Sequence, residues 1–223
     1  GTGGMTAQAF GRGDFHECSR IFARGIVLSI VIALATLAIQ VPFVKVALLC
    51  TDSSAEVEEL ALRYFYARVW AAPATLSLMA FRGWFVGMQD SVSSMFTDLI
   101  VNGVNIAASI LLTFGFGSWD GMGYVGIAWG TVVAQYCGLL YATLVCIFKY
   151  GRRVFGELEW KDVADSLKGG ELRRFLKMNA DLLVRSLCFT AIYVGFTMIS
   201  TVYGDVMLAC GSIMMKLLMI FSY

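Results

Sequence analysis

The stretch VNGVNIAASILLTFGFG, residues 101–117, sets two asparagines, Asn102 and Asn105, in a run otherwise apolar enough to lie in a bilayer. About 20 helical residues cross the hydrocarbon core, and lipid offers an amide no hydrogen bond. The stretch therefore reads as a membrane helix whose polar side must meet protein or water. Composition extends this reading to the whole chain. Of 223 residues, 58% are hydrophobic and 15% charged, with a mean hydropathy of +0.73, whereas a soluble domain carries about 25% charged residues. The fold class is all-α, an integral membrane polytopic helical bundle.

Further apolar runs fall at about 25–50, 65–88, 94–116, 122–148 and 180–203, with another opening near 205. The chain opens on GTGGMTAQAFGRGDF, without an initiator or a signal-peptide pattern, and stops at Tyr223 inside an apolar run. It is expected to be an internal piece of a longer protein.

Loop charges set the orientation. Arg12, Arg20 and Arg24 precede the first run, Arg82 marks a second basic loop, and the connection from Lys149 to Lys177 holds Arg152, Arg153, Lys161, Lys168, Arg173 and Arg174. TDSSAEVEEL has four acids and no base, and SWDG and YGD have no base. Basic loops are thus expected in the cytoplasm and acidic ones outside, in a multi-pass protein of the plasma (inner) membrane.

Several function classes fall away. No basic face interleaved with aromatics supports nucleic-acid binding. The six cysteines, Cys18, Cys50, Cys137, Cys146, Cys188 and Cys210, are scattered without a CxxC or Cys/His cluster, so a metal is not expected. His16 is placed in a loop outside any catalytic constellation, and no glycine run follows a strand as a phosphate-binding loop requires. No catalytic constellation and no cofactor are expected.

RRVFGELEWKDVADSLKGGELRRFLKMN mixes Phe155, Leu158, Trp160, Val163 and Leu167 with charges at helical spacing. That suits an amphipathic helix on the cytoplasmic surface, broken by Gly169 and Gly170. It divides the chain into residues 1–150, a linker at 151–178, and residues 179–223.

On a helical wheel Asp98, Asn102, Asn105 and Ser109 return to one narrow face. Such a stripe serves either interhelical hydrogen bonding or a polar cavity at mid-membrane depth, and taken alone it favours the bonding. In the next run Gly126, Gly130, Ala134, Gly138 and Ala142 recur at successive fours, a small-residue ridge that admits a close neighbour. Thr131 and Gln135 flank the ridge. Joined by the short SWDG loop, the two helices should pack antiparallel and share one polar pocket.

In order and spacing, AQAFGRGD with its following arginines, GWFVGMQD, NGVNI, GMGYVGIAWGTVVAQY and FLKMNADLLVRSL resemble the multidrug and toxic compound extrusion (MATE) transporters, in particular their DinF subgroup. The resemblance covers essentially the whole chain. It implies a partial two-lobe transporter of about helices 3 to 7 plus pieces of 2 and 8. Residues 1–150 would be amino-lobe helices, and 179–223 the start of the carboxyl lobe. It further implies a secondary antiporter, not an enzyme, that exports cationic or amphiphilic compounds in exchange for protons or sodium ions by alternating access. The partners are then small organic cations or amphiphiles and the lipid bilayer, for a protein that is a monomer.

By the same resemblance Asn105 matches an asparagine of the family's fifth helix, and Thr131 a threonine of the sixth, both in the amino-lobe polar network. Ser109 departs from the pattern, since many relatives carry aspartate there. The family's acidic residue on the first helix lies outside this chain. The coupling ion is therefore open between H+ and Na+. With Asn102 and Gln135 these three form the candidate substrate or ion cavity.

Charged candidates for coupling are Asp98, Asp181, Arg185 and Lys216. Asn179, Asp181 and Arg185 resemble an NxDxxxR pattern of the DinF subgroup, but a helix cap beside a salt bridge, with snorkelling, suits them better. Lys216 falls mid-run in SIMMKLLMIF, too deep to snorkel easily. Pro73 is expected to kink its helix. Phe81, Trp84, Phe85, Met88 and Met95 suit either ordinary packing or a greasy binding chamber. The alternative functions are a lipid-linked precursor flippase of the same superfamily, which would want a more basic cavity, and a non-transporting polytopic membrane protein.

Cysteines introduced at Ser53 and Asp120 should react with impermeant reagents from outside the cell, and one at Lys161 should not. Labelling of all three from one side would overturn the topology.

Overall fold

The computed structural model describes residues 2–49, 55–116, 119–151 and 170–202, together with 211 and 214. Among these the chain is helical: α1 (Thr2–Gly11), α2 (Phe15–Leu49), α3 (Ala55–Val69), α4 (Ala72–Gly87), α5 (Ser91–Phe114), α6 (Val125–Val145) with a π-helical end (Cys146–Tyr150), and α7 (Gly170–Val202). It falls into two compact units, Thr2–Gly169 and Gly170–Tyr223. Among the described residues three helical stretches are long and apolar enough to cross a membrane: Phe15–Pro42, Ser91–Phe114 and Val125–Tyr150. They leave Leu99, Ile106, Ile110, Phe114 and Leu140 exposed, as lipid-facing side chains would be.

Helix bounds differ from the apolar runs where charges lie on helices. Arg20 and Arg24 belong to α2 rather than to a loop, and His16 lies in its first turn. Arg82 lies within α4. The acidic stretch after Ser54 is already helical from Ala55. Pro73 does not kink one helix. It stands in the first turn of α4, after a break at Trp70 and Ala71, because a ring without an N–H fits that turn at no cost. The carbonyl of Trp70, at the break, accepts from the Tyr136 hydroxyl at 3.2 Å. Helix α7 starts at Gly170, ten residues ahead of the apolar run. Residues 152–169 of the linker lie outside the described residues, as does Lys216.

The core of the first unit is aromatic and lies where α1, α2, α4 and the end of α6 meet. Phe81, Trp84, Phe85 and Met88 are buried there, whereas Met95 is exposed. Trp84 lies 5.0 Å from Phe22 and 4.9 Å from Tyr150 between ring centroids, and its indole N–H donates to the Cys18 carbonyl at 2.9 Å. Helix α1 reaches α4 through glycines: a Cβ on Gly87 would lie 2.5 Å from the Thr6 Cβ, and one on Gly3 2.9 Å from the Gly83 carbonyl oxygen.

Helices α5 and α6 form an antiparallel hairpin. All five residues of the small ridge on α6 are buried. A Cβ on Gly126 would lie 2.5 Å from the Leu112 carbonyl oxygen, one on Gly130 2.7 Å from the Ser109 backbone, and one on Gly138 would collide with the Val101 side chain. The closing turn needs Gly115 and Gly121, both at positive φ (79° and 74°). Between them Phe116 and Trp119 exchange backbone hydrogen bonds at 3.1 and 3.3 Å.

Gly130→Ala should therefore lower unfolding stability by about 1–3 kcal/mol through overpacking. Gly103→Ala, where a Cβ meets nothing within 4 Å, should be neutral or stabilising by up to about 1 kcal/mol. Equal effects in a thermal melt would exclude the close approach.

Candidate functional site

Midway along the hairpin the Asn105 side-chain oxygen accepts from the Ser109 hydroxyl at 3.0 Å and from the Thr131 hydroxyl at 3.4 Å. Ser109 lies one turn from Asn105, and Gly130 lets Thr131 approach Asn105 across the helix pair. Thr131 has one hydroxyl proton and two acceptors, because the Ile127 carbonyl lies at 3.0 Å. The shorter bond within the helix holds the proton more firmly. The cross-helix contact is therefore easily exchanged.

Asn105 accepts in this network, and among the described residues its amide nitrogen donates to nothing. One turn from Thr131, the Gln135 side-chain oxygen is buried without a partner among the described residues. Free donor and acceptor capacity beside a neutral polar patch suits a hydrogen-bonding ligand or a coordinated cation. It cannot itself carry a proton, since no member titrates near neutral pH.

The other stripe residues do not join this patch. Asn102 is exposed. Asp98 pairs with Arg82 of α4 at 2.7 Å, so its charge is matched outside the network. Asp181 and Arg185 are exposed on α7, with the Arg185 guanidinium 5.8 Å from the Phe189 ring centre.

A second polar cluster was not legible as a site. Asp90, 7% exposed, occupies the elbow between α4 and α5. One carboxylate oxygen caps α5 by accepting from the Ser93 N–H at 3.3 Å. The other accepts from the Lys149 ammonium at 2.8 Å and the Tyr150 hydroxyl at 2.6 Å. Burial by itself raises the Asp90 pKa, but the hydrogen bonds from Lys149, Ser93 and Tyr150 outweigh it and hold the carboxyl at about 2, below its ordinary 3.8. The sequence signals only the cap, an Asp at the head of an apolar run. A partner some 60 residues away leaves no local trace. Arg24, 1% exposed, is likewise matched, to Glu17 at 3.2 Å.

Residues 1–111 match the MatE family. The whole chain aligns at 28% identity with DNA damage-inducible protein F of Escherichia coli (strain K12), of which it covers 47%. Its first 111 residues place the chain in the MatE family. Asp90, Asn102, Asn105 and Ser109 lie inside the MatE match; Thr131, Gln135, Lys149 and Tyr150 lie beyond it but inside the alignment with the relative. The chain spans about half the length of that relative. With its apolar helices, membership in MatE makes it part of a multi-pass helical membrane protein.

A carboxyl whose pKa is lowered on folding stabilises above its unfolded value and loses that stabilisation as pH falls through the folded value. Replacing Asp90 by Asn should therefore cost about 1–2 kcal/mol near neutral pH, two pK units discounted because Lys149 is half-exposed. The gap between the two melting curves should narrow as pH falls from 4 toward 2. A gap that widens over that range would exclude the assignment.

Proposed function

We propose that the chain is part of a secondary antiporter of the plasma (inner) membrane, which exports cationic or amphiphilic compounds in exchange for protons or sodium ions by alternating access. The observation that carries this reading is the polar network of Asn105, Ser109 and Thr131, with the unmatched Gln135 oxygen one turn away, between two close-packed helices of a MatE-family chain. A network built only to join helices would not leave the buried Gln135 oxygen unmatched.

In this reading residues 1–150 are amino-lobe helices, 151–178 the cytoplasmic linker and 179–223 the start of the carboxyl lobe. The neutral patch binds the exported compound or its coupling ion through dipoles, and the titrating acid lies elsewhere in the full-length protein. The weak Thr131 to Asn105 bond can open for a ligand at little cost. Asp98 contributes less to coupling than its charge suggests, because Arg82 neutralises it.

In the full-length protein Asn105→Leu and Thr131→Val should abolish export of a cationic dye from cells while changing unfolding stability by no more than about 1 kcal/mol, the usual worth of such contacts. Asn102→Leu should do less. Normal efflux in Asn105→Leu, or efflux that falls only in step with the amount of folded protein, would return the network to a structural role.

A further inference from the structure

The α4–α5 elbow and the end of α6 are both irregular, and both irregularities end on one carboxylate. Gln89 sits at φ 60°, the left-handed region that a residue with a Cβ avoids. There the Asp90 N–H donates back to the Phe85 carbonyl at 2.8 Å, which sets Asp90 at the head of α5. Helix α6 closes with the π-helical segment Cys146–Tyr150. Such widened turns concentrate at functional sites. Its last two residues, Lys149 and Tyr150, bond the same Asp90 oxygen.

Capping α5 does not require a carboxylate, since Ser, Thr or Asn would serve. The charge is needed for the second oxygen, which reaches α6. Its position along the hairpin gives that contact meaning. One end of the α5–α6 hairpin is closed by the Gly115–Gly121 turn. The other end has no covalent closure, and Asp90 bridges it. Asn105, Ser109, Thr131 and Gln135 lie between the two closures. Tyr150 also lies 4.9 Å from Trp84, and Trp84 bonds α2 through Cys18. The bridge thus ties the hairpin to the aromatic core.

We propose that Asp90 is a positioning residue for transport: its carboxylate clamps the open end of the α5–α6 hairpin, so that the helices bearing Asn105 and Thr131 move as one body. This rests on the export reading for its link to transport, and on the geometry alone for the clamp. Loss of the clamp frees the π-helical segment and lets the α5–α6 spacing drift, without touching the groups that would bind a ligand.

The test uses the full-length protein with three substitutions. Asp90→Asn keeps an acceptor for the Ser93 N–H and loses the charge. Tyr150→Phe removes one hydroxyl and keeps the ring. Lys149→Met removes the cation. The first readout is alkylation of Cys146, which is 5% exposed on the π-helical segment, by a permeant maleimide, followed by peptide mass spectrometry with Cys137 as the internal control. Asp90→Asn should speed Cys146 alkylation about tenfold and Tyr150→Phe several-fold, with Cys137 within about twofold of wild type.

The second readout is dye export, in which Asp90→Asn should lower kcat and leave KM within about twofold. Added to Lys149→Met, it should cost less than it does alone, because the two changes break the same contact. Wild-type alkylation at Cys146 in both Asp90→Asn and Tyr150→Phe overturns the clamp. Faster alkylation with unchanged kcat overturns its role in transport. Absence of dye export by the wild-type protein overturns the export reading, and the alkylation rates then judge the clamp by themselves.

Discussion

Helices α5 and α6 approach closely because α6 presents bare glycine backbone to α5, and the candidate polar network depends on that approach. Lipid tails are as apolar as leucine, so burying leucine between helices gains little in a membrane. Association relies instead on dense contact, which Gly126, Gly130 and Gly138 allow by presenting no Cβ to Leu112, Ser109 and Val101. The same bare surface brings the Thr131 hydroxyl within 3.4 Å of Asn105. A methyl group at position 130 would push the two polar residues apart. Close packing and the polar network are therefore one constraint, since the network exists only at the spacing the glycines permit.

Charges follow a second rule of the bilayer, that an ionisable group near hydrocarbon must find a partner. Arg24 is matched by Glu17, Arg82 by Asp98, and Asp90 by Lys149 with help from Tyr150. Each pair joins two turns or two helices, so neutralising a charge also fixes geometry. The neutral Gln135 oxygen, by contrast, is buried in the same unit with no partner among the described residues. That is why the neutral amides, rather than the conspicuous acids, stand at the centre of the functional reading.

Sequence alone determined the solvent, the class and much of the hairpin. Composition and run length pointed to membrane-spanning helices, because an apolar run of about 20 residues crosses the bilayer as a helix that satisfies its own backbone hydrogen bonds. The period of four from Gly126 to Ala142 showed which face of α6 would be buried, and the wheel offsets put Asn105 and Ser109 on a shared side. These are local, periodic signals, and a helix converts them directly into position. Helix ends were less legible: Arg20, Arg24 and Arg82 looked like loop charges but sit on helices, since a long basic side chain can extend from a helix without ending it.

Only the tertiary structure decided which polar residues meet. It separated Asn102 and Asp98 from Asn105 although all share a stripe, because neighbours rather than periodicity choose partners: Arg82 reaches Asp98, while Gly130 admits Thr131 to Asn105 alone. It showed Pro73 beginning a helix rather than bending one. It joined Asp90 to Lys149 and Tyr150 across some 60 residues. The physical reason is the same in each case. A single chain's periodicity fixes the direction of a side chain about its own helix axis, but the distance to a group on another helix depends on how closely two backbones pack.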